Sequence, residues 1–452
     1  MDIKGRRVSI IGAGKSGLVS ARVLNELGAQ VLLSDTSSLE KIGKIIDEAR
    51  LSPSVEIETG GHSERVLQAD FIVLSPGVPG TIPILQKASQ AGIPILSEIE
   101  LAYRLSHGKR LVITGSNGKT TTTSLLGKFC EKHFPRVFVG GNIGIPMMEF
   151  ALQTKEGDIQ VLEVSSFQLE TISTFTPDIA LITNFFENHL DRYPSYASYL
   201  DAKERIAMNL KPDQWLILNA DQEAMLGVAT RTRARVAWFG WNLDGRSPGT
   251  TMRNGMLCWV AEDGSLTELF HDSEIRLLGR HNRENVMAAV AAAWLAGVRQ
   301  ESLLLVVSTF PGVEHRMEWV RQRRGVTFIN DSKGTNCAAS IIALQACPTP
   351  VILIAGGRDK GTDLREWVQA VQKRAQGIVL VGEARERFRS ALEGMVPLKL
   401  AGSFEDAVQT AADWAREGET VLLSPACSSY DLFSNFEVRG RRFKELILAL
   451  AE

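Results

Sequence analysis

At 452 residues the chain is too long for one hydrophobic core, and at roughly 150 residues per domain it divides into about three. Hydrophobic residues at 44% and charged residues at 23% are ordinary for a soluble globular protein and suggest neither disorder nor membrane residence. The near balance of 50 basic and 52 acidic residues, a net charge of −2, supplies no concentrated basic surface and argues against nucleic acid as a partner.

Cys130, Cys258, Cys337, Cys347 and Cys427 lie far apart with no C-x-x-C pair, the pattern of a reducing compartment rather than of a disulfide framework or a zinc site. The opening MDIKGRRVSIIGAG passes from charge straight into a strand-like run without an apolar leader, and no stretch is long enough to span a bilayer. A cytoplasmic location is expected.

In chain order, RVSIIGAG and VLLSD alternate with the helical stretches SGLVSARVLNELG and a second reaching Arg50, and FIVLSPGV, TIPILQKASQAG, IPILS and EIELAYRLS follow. Such alternation builds βαβ units and a parallel sheet, and the first unit closes near residue 97. A second series opens on LVITG, continues through GDIQVLEVSS and DIALITN, and ends in the Ala-rich helix from His281. Within it, ARVAWFGW, GMLCWVAEDG and SLTELF are expected to form a small antiparallel annex of hairpins. A third series carries GVTFIND, PVILIAGG, GIVLVG and TVLLSP, each followed by a helical stretch. The expected fold is α/β in three domains: Rossmann-like at 1–97, a P-loop ATPase type at 98–312, and Rossmann-like again at 313–452.

Two glycine loops carry the chemistry. Gly12-Ala13-Gly14-Lys15-Ser16-Gly17 follows a strand and opens a helix, with Asp35 ending the next strand. Glycines let the backbone approach a diphosphate at a helix N-terminus, and the acid reads a ribose hydroxyl. That chemistry fits NAD and a nucleotide sugar equally. The second loop, Thr114-Gly115-Ser116-Asn117-Gly118-Lys119-Thr120-Thr121, again joins strand to helix. Its amides suit phosphates, Lys119 suits the β/γ oxygens and the Thr120 hydroxyl suits magnesium. Only two residues separate Gly115 from Gly118, and Ile113 stands where the general Walker pattern has its first glycine. Two phosphate loops in separate domains argue for two phosphorylated ligands, and hydride chemistry leaves the second unexplained.

The second loop resembles that of the Mur ligase family, TG-x-x-GKT or TG-x-x-GKS, and the resemblance covers the whole chain. Leu162-Glu163-Val164-Ser165-Ser166, Asn184 to Asp191, Asp201-Ala202-Lys203-Glu204-Arg205, Glu314-His315-Arg316, Asn330 to Asn336 and Ser424 to Ser429 are similar to the family's motifs in order. The strings SSFQLE, NHLDRYPS, NDSKGTN and SPACSSYDLFSNFEVRG look most like the branch that joins D-glutamate to UDP-N-acetylmuramoyl-L-alanine. A DNPR-type signature of the diaminopimelate- or lysine-adding branch is absent, and residues 1–97 argue against folylpolyglutamate synthase.

The resemblance implies an ATP-dependent, amide-forming ligase of peptidoglycan precursor synthesis that acts as a monomer on small-molecule substrates through an acyl phosphate. It assigns Gly115, Ser116, Asn117, Gly118, Lys119, Thr120, Thr121, Asn282, Asn285, Arg316 and Asp331 to ATP. Gly14, Lys15, Ser16, Asp35, Thr36, Ser75, Pro76, Gly77, Asn142 and Ser165 fall to the UDP-sugar, and Thr335, Lys360, Ser429 and Phe436 to D-glutamate. Thr120, Glu163, His189 and Lys203 fall to magnesium, two ions being expected, with Lys203 carbamylated and Lys119, His189 and Lys203 catalytic. On position alone, Glu163 and Asp191 are also ordinary strand-end acids and Lys203 an ordinary helix lysine. A carbamate would turn that lysine into an anionic oxygen ligand.

Overall fold

In the computed structural model, which describes residues 1–186, 193–347, 349–358 and 361–451, the alternating pattern becomes three sheets. The chain forms two compact units, Met1–Asp272 with Glu284–Val306, and Ser273–Arg283 with Val307–Glu452. Among the described residues no helix is long and apolar enough to cross a membrane.

The first unit holds two sheets. β1 (Arg7–Ile11), β2 (Gln30–Asp35), β3 (Glu56–Thr59), β4 (Phe71–Leu74) and β5 (Ile95–Ser97) run parallel in the order β3-β2-β1-β4-β5. β4 is buried at every position and β1 at all but its first, so both read as unbroken apolar runs instead of alternating ones. Strand order reverses between β1 and β4, which opens a crevice beyond their carboxyl ends.

The second sheet contains β6 (Lys109–Thr114), β7 (Val137–Gly141), β8 (Ile159–Glu163), β9 (Ile179–Ile182), β10 (Trp215–Asn219), β11 (Arg235–Gly240), β12 (Gly249–Arg253), β13 (Met256–Val260) and β14 (Leu266–His271). Their order is β14-β13-β12-β11-β10-β9-β6-β8-β7, and only β13 runs against the rest, pairing antiparallel with both β12 and β14. The expected antiparallel hairpins are present in β12, β13 and β14, but the annex is corrected at its first strand. ARVAWFGW supplies β11, which pairs in parallel with both β10 and β12, so the segment extends the central sheet instead of standing apart. β12 is marked by no apolar run, because GTTMR buries its glycine and two threonines by register against neighbours.

Local signals place the turns that feed the site. Ser97 caps the helix Glu98–Leu105, and Ser165 and Gln168 close a reciprocal capping box on the helix Ser166–Leu169, each cap contributing about 1 kcal/mol. One apolar cluster runs from Ile10 and Leu33 of the first sheet through Met147 and Met148 to Leu162 and Leu216 of the second. Glu100 locks the connection between the sheets: its buried carboxylate accepts from the backbone N–H groups of Ser173, Thr174 and Phe175. Burial opposes that charge, yet these donors, the Thr174 hydroxyl and Arg104 hold the carboxyl down to about 2.

In the second unit β15 (Glu318–Arg323), β16 (Val326–Asn330), β17 (Val351–Gly356), β18 (Ala375–Val381), β19 (Leu398–Leu400) and β20 (Thr420–Leu423) are ordered β15-β16-β20-β17-β18-β19. All are parallel except the edge strand β15. One face packs on Leu344, Trp367 and Phe388, the other on Phe404, Phe443 and Ile447, as expected of a doubly wound sheet. β15 lies outside the sequence pattern, since Glu318, Arg321 and Arg323 leave EWVRQR little apolar character.

Candidate active site

The first loop lies at the reversal of the first sheet. Gly12 has φ +99°, and a Cβ there would sit 2.9 Å from that of Ser75; one on Gly17 would meet the Gly12 carbonyl at 1.9 Å. Only glycine permits this approach of helix to strand. The Ser75 hydroxyl donates to the Gly12 carbonyl at 2.8 Å, and Pro76 and Gly77 continue that rim. Asp35 accepts from the N–H groups of Ala13 and Ser37, both at 2.7 Å. Burial works against its charge, but these amides outweigh it and hold the carboxyl below its usual value. Thr36 is exposed beside it. Gly14 and Lys15 are exposed at the helix start, Ser16 is half-buried, and the Lys15 ammonium donates to the Gly144 carbonyl at 2.6 Å.

The second loop follows β6 at the middle of the central sheet. Gly115 and Gly118 have φ +138° and +80°, and a Cβ on them would fall 1.9 Å from Thr183 Oγ1 and 2.2 Å from Asn285 Oδ1. The Asn117 N–H donates to Asn184 Oδ1 at 2.8 Å, and its carbonyl accepts from the Thr183 hydroxyl at 2.7 Å. Ser116 Oγ donates to the Phe186 carbonyl at 2.9 Å and lies 3.0 Å from the Tyr199 hydroxyl. Lys119, Thr120 and Thr121 form the first turn of the helix Lys119–His133.

Two lysines converge here. Lys119 Nζ donates to the carbonyls of Gly115 and Ser116 at 3.0 and 2.9 Å, and Lys203 Nζ, on the helix Tyr196–Glu204, donates to the same Gly115 carbonyl at 2.7 Å. Burial, reinforced by the Lys119 charge and opposed by Glu163, pushes the Lys203 amine down to about 6. Glu163 ends β8 with Oε1 accepting from Asn142 Nδ2 at 2.7 Å, while its buried Oε2 has no partner among the described residues. An orphaned carboxylate oxygen next to a phosphate-type loop suits a hard cation. Ser165 caps the helix just beyond it. Among the described residues no three His, Cys, Asp or Glu side chains form a cation cage by themselves.

Asn285 is set against Gly118 and accepts from the Thr122 hydroxyl at 3.4 Å, whereas Asn282, in the second unit, donates to the Leu278 carbonyl at 2.7 Å. His189 and Asp191 lie outside the described residues, as does Lys360.

In the second unit Asp331, just past β16, accepts from the Ser424 hydroxyl at 2.8 Å and the Met317 N–H at 3.2 Å. Burial pushes it up to about 7 against those bonds and the charges of Arg316 and Arg439. Arg316 sits between His315 and Met317, both left-handed at φ +65° and +43°. Thr335 is half-buried, Ser429 is buried, and Phe436 opens the last helix with its carbonyl accepting from Ser332 Oγ at 2.8 Å and its ring 5.2 Å from Lys333 Nζ.

Four neighbours of these residues receive no role from the motifs, although Asn184 and Arg439 lie within them: Thr183, Asn184, Tyr199 and Arg439. The first two sit just past β9, so strand-end position alone marks them. Arg439 shares a buried stripe with Phe443 and Ile447 at helical spacing, and its guanidinium donates to the carbonyls of Ser332 and Cys427 at 2.9 and 3.2 Å.

Comparison with known proteins matches three family models: the N-terminal domain of MurD-like Mur ligases over residues 6–97, the Mur ligase middle domain over 113–293, and the Mur ligase glutamate ligase domain over 315–427. The chain is 45% identical to a UDP-N-acetylmuramoylalanine--D-glutamate ligase of Acidobacterium capsulatum over 99% of its own length and 97% of the relative's. It is 39% identical to the ligase of the same name from Thermoanaerobacter pseudethanolicus, with both chains covered completely. Among solved structures, UDP-N-acetylmuramate-alanine ligase MurC of Thermotoga maritima shares the fold with a TM-score of 0.57 at 19% identity, covering 98% of this chain and 99% of that one. The MurF ligase of Thermotoga maritima, solved in complex with ADP, does so at 0.55 and 16%, covering 98% and 94%. With motifs, three domain models and full-length relatives in agreement, this chain belongs to the Mur ligase family.

Proposed function

We propose that the protein joins D-glutamate to UDP-N-acetylmuramoyl-L-alanine at the expense of ATP, in the synthesis of peptidoglycan precursors. The choice of amino acid rests on the names of the full-length relatives. The single observation of this molecule that carries the chemistry is the meeting of Lys119 and Lys203 on the Gly115 carbonyl, beside a buried Glu163 oxygen with no partner among the described residues. Residues 1–97 serve the UDP-sugar through Gly14, Lys15, Ser16, Asp35, Thr36, Ser75, Pro76 and Gly77, joined by Asn142 and Ser165. Residues 98–312 serve ATP together with Arg316 and Asp331, and 313–452 serve D-glutamate through Thr335, Lys360, Ser429 and Phe436. The enzyme acts in the cytoplasm as a monomer.

A carboxylate oxygen of the UDP-sugar peptide attacks the γ-phosphorus as the bond to ADP breaks, giving an acyl phosphate. The amine of D-glutamate then attacks the acyl carbon, and phosphate leaves as the amine gives up its proton. The obstacle is the approach of anions, so catalysis lies in charge neutralisation and positioning. The loop amides and Lys119 neutralise the transferring phosphoryl group. Glycine at 115 and 118 lets the loop pack closely on Thr183 and Asn285, since a Cβ at either would collide with them. Thr120, Glu163, His189 and a carbamylated Lys203 would hold magnesium, which supplies positive charge to the phosphate oxygens. Carbamylation needs a neutral amine: nitrogen adds to carbon dioxide and a proton leaves to solvent. A lysine pushed down to about 6 is in that form at neutral pH. Hydride transfer, the alternative offered by the first loop alone, leaves the second loop and its two lysines without a task.

Phosphate release measured with ATP, UDP-N-acetylmuramoyl-L-alanine and one amino acid at a time tests the proposal. Release should require D-glutamate. Equal release with L-alanine or diaminopimelate, or turnover of a nicotinamide cofactor instead, would overturn it.

A further inference from the structure

The segment around Arg316 is held in a form that unconstrained residues avoid. His315 and Met317 on either side are left-handed without being glycine, with φ +65° and +43°, and such residues persist only where their surroundings over-determine them. All three N–H groups of the turn and the His315 carbonyl are held by hydrogen bonds. The Arg316 N–H donates to the Val313 carbonyl at 2.9 Å, the Lys333 N–H to the His315 carbonyl at 3.0 Å, and the Met317 N–H to Asp331 at 3.2 Å.

The remaining hold on the turn comes from Glu318, which has no part in the nucleotide assignment. Its Oε2 accepts from the His315 N–H and from Asn330 Nδ2, both at 3.0 Å, and its Oε1 accepts from Lys444 Nζ at 2.6 Å. Asn330, wholly buried at the end of β16, also lies 3.0 Å from His315 Nδ1 and donates to the Gly440 carbonyl at 3.3 Å. The imidazole is seated on Gly440, where a Cβ would come 2.2 Å from Nδ1. Lys444 lies one helical turn beyond Gly440 on the same helix and reaches Glu314 as well, at 3.1 Å. Three elements thus converge on a single turn, and the residue at its apex is Arg316.

We propose that Glu318, Asn330 and Lys444 are positioning residues that fix the left-handed turn at His315–Met317 and thereby aim Arg316 at the nucleotide. The proposal rests on the assignment of Arg316 to ATP. It predicts an effect that passes through Arg316 and spares the other substrates. Glu318→Gln exchanges an acceptor oxygen for a donor where Glu318 accepts from the His315 N–H, Asn330 Nδ2 and Lys444 Nζ, and Lys444→Met removes the ammonium while keeping the stem.

The test measures kcat and the KM of each substrate for the full-length Glu318→Gln and Lys444→Met variants, alone and combined with Arg316→Ala, with thermal melting alongside. Glu318→Gln should raise the KM for ATP about tenfold, the size of a lost charge-assisted bond, and leave the KM for D-glutamate and the UDP-sugar within about twofold. Lys444→Met should act in the same direction more weakly, with Lys444→Arg restoring most of the loss. In the Arg316→Ala background Glu318→Gln should add less than about twofold, because residues acting through one another are not additive. Equal rises in all three KM values, or a full tenfold effect without Arg316, would overturn the proposal. If Glu318→Gln fails to fold, the same criteria apply to Lys444→Met. Unmutated protein that shows no ATP dependence would instead overturn the assignment beneath it.

Discussion

The two glycine loops share a plan and differ in what surrounds it. Each follows a parallel strand, each turns through glycine with positive φ, at Gly12 in the first and at Gly115 and Gly118 in the second, and each presents the first turn of a helix. Around the first stands a carboxylate, Asp35, paired to the backbone of the loop, and a lysine, Lys15, that is exposed. Around the second stand two lysines on one carbonyl, one of them 2% exposed, and a buried carboxylate oxygen unpaired among the described residues. A loop whose neighbouring carboxylate is already paired is suited to hold a ligand unchanged. A loop with opposed, incompletely satisfied charges is suited to a ligand whose charge shifts during reaction. The same local sequence logic yields a binding site in one place and a reactive one in the other, and the difference comes from residues distant in sequence.

That contrast can be broken by mutation. The largest effect should follow Lys119→Ala, with ATP-dependent phosphate release falling roughly 10³-fold, the order seen when a preorganised electrostatic donor is lost. Calorimetric titration of the same variant should show UDP-sugar affinity unchanged, and its collapse in folded protein would mean that the two loops are not separate sites. Lys203→Ala comes next, expected to remove most activity, roughly 10²-fold, with partial recovery on adding acetate or formate as a substitute anionic oxygen donor. No recovery beyond a matched chloride control, together with an unmodified lysine mass in bicarbonate buffer, would remove the carbamate from the account. Asp35→Asn should weaken UDP-sugar binding about tenfold while leaving Mg–ADP binding as it was, by titration with each ligand.

The smallest effect is on stability. Lys203 is pushed down to about 6 in the folded protein, so between that pH and the ordinary lysine range the unfolded chain binds the extra proton. For the unmodified amine, stability should rise with pH across this window. Lys203→Met should flatten the rise in denaturant titrations run at a series of pH values without bicarbonate.

Much of this was legible in the sequence, for identifiable reasons. Buried parallel strands are continuous apolar runs, so β1, β4, β6 and β17 stand out, and glycine loops are visible because no other residue meets their φ values. β12 and β15 were not legible, because register against neighbours and not composition makes them strands. At the site, Lys203 looked like a solvated helix lysine, since nothing local signals that the Gly115 carbonyl, 88 positions away, becomes its partner. Glu98 is similar: it sits in a helix of ordinary charge pattern, yet burial pushes it up to about 7, with one oxygen unpaired among the described residues. Long-range burial decides the protonation state of both.

The central claim, that the two loops hold two different phosphate ligands independently, is tested most directly by titrating the protein with the UDP-sugar in the absence and presence of saturating Mg–ADP. One site for each ligand, with neither excluding the other, is the predicted result. Mutual displacement, with a single phosphate ligand bound per chain, would contradict it.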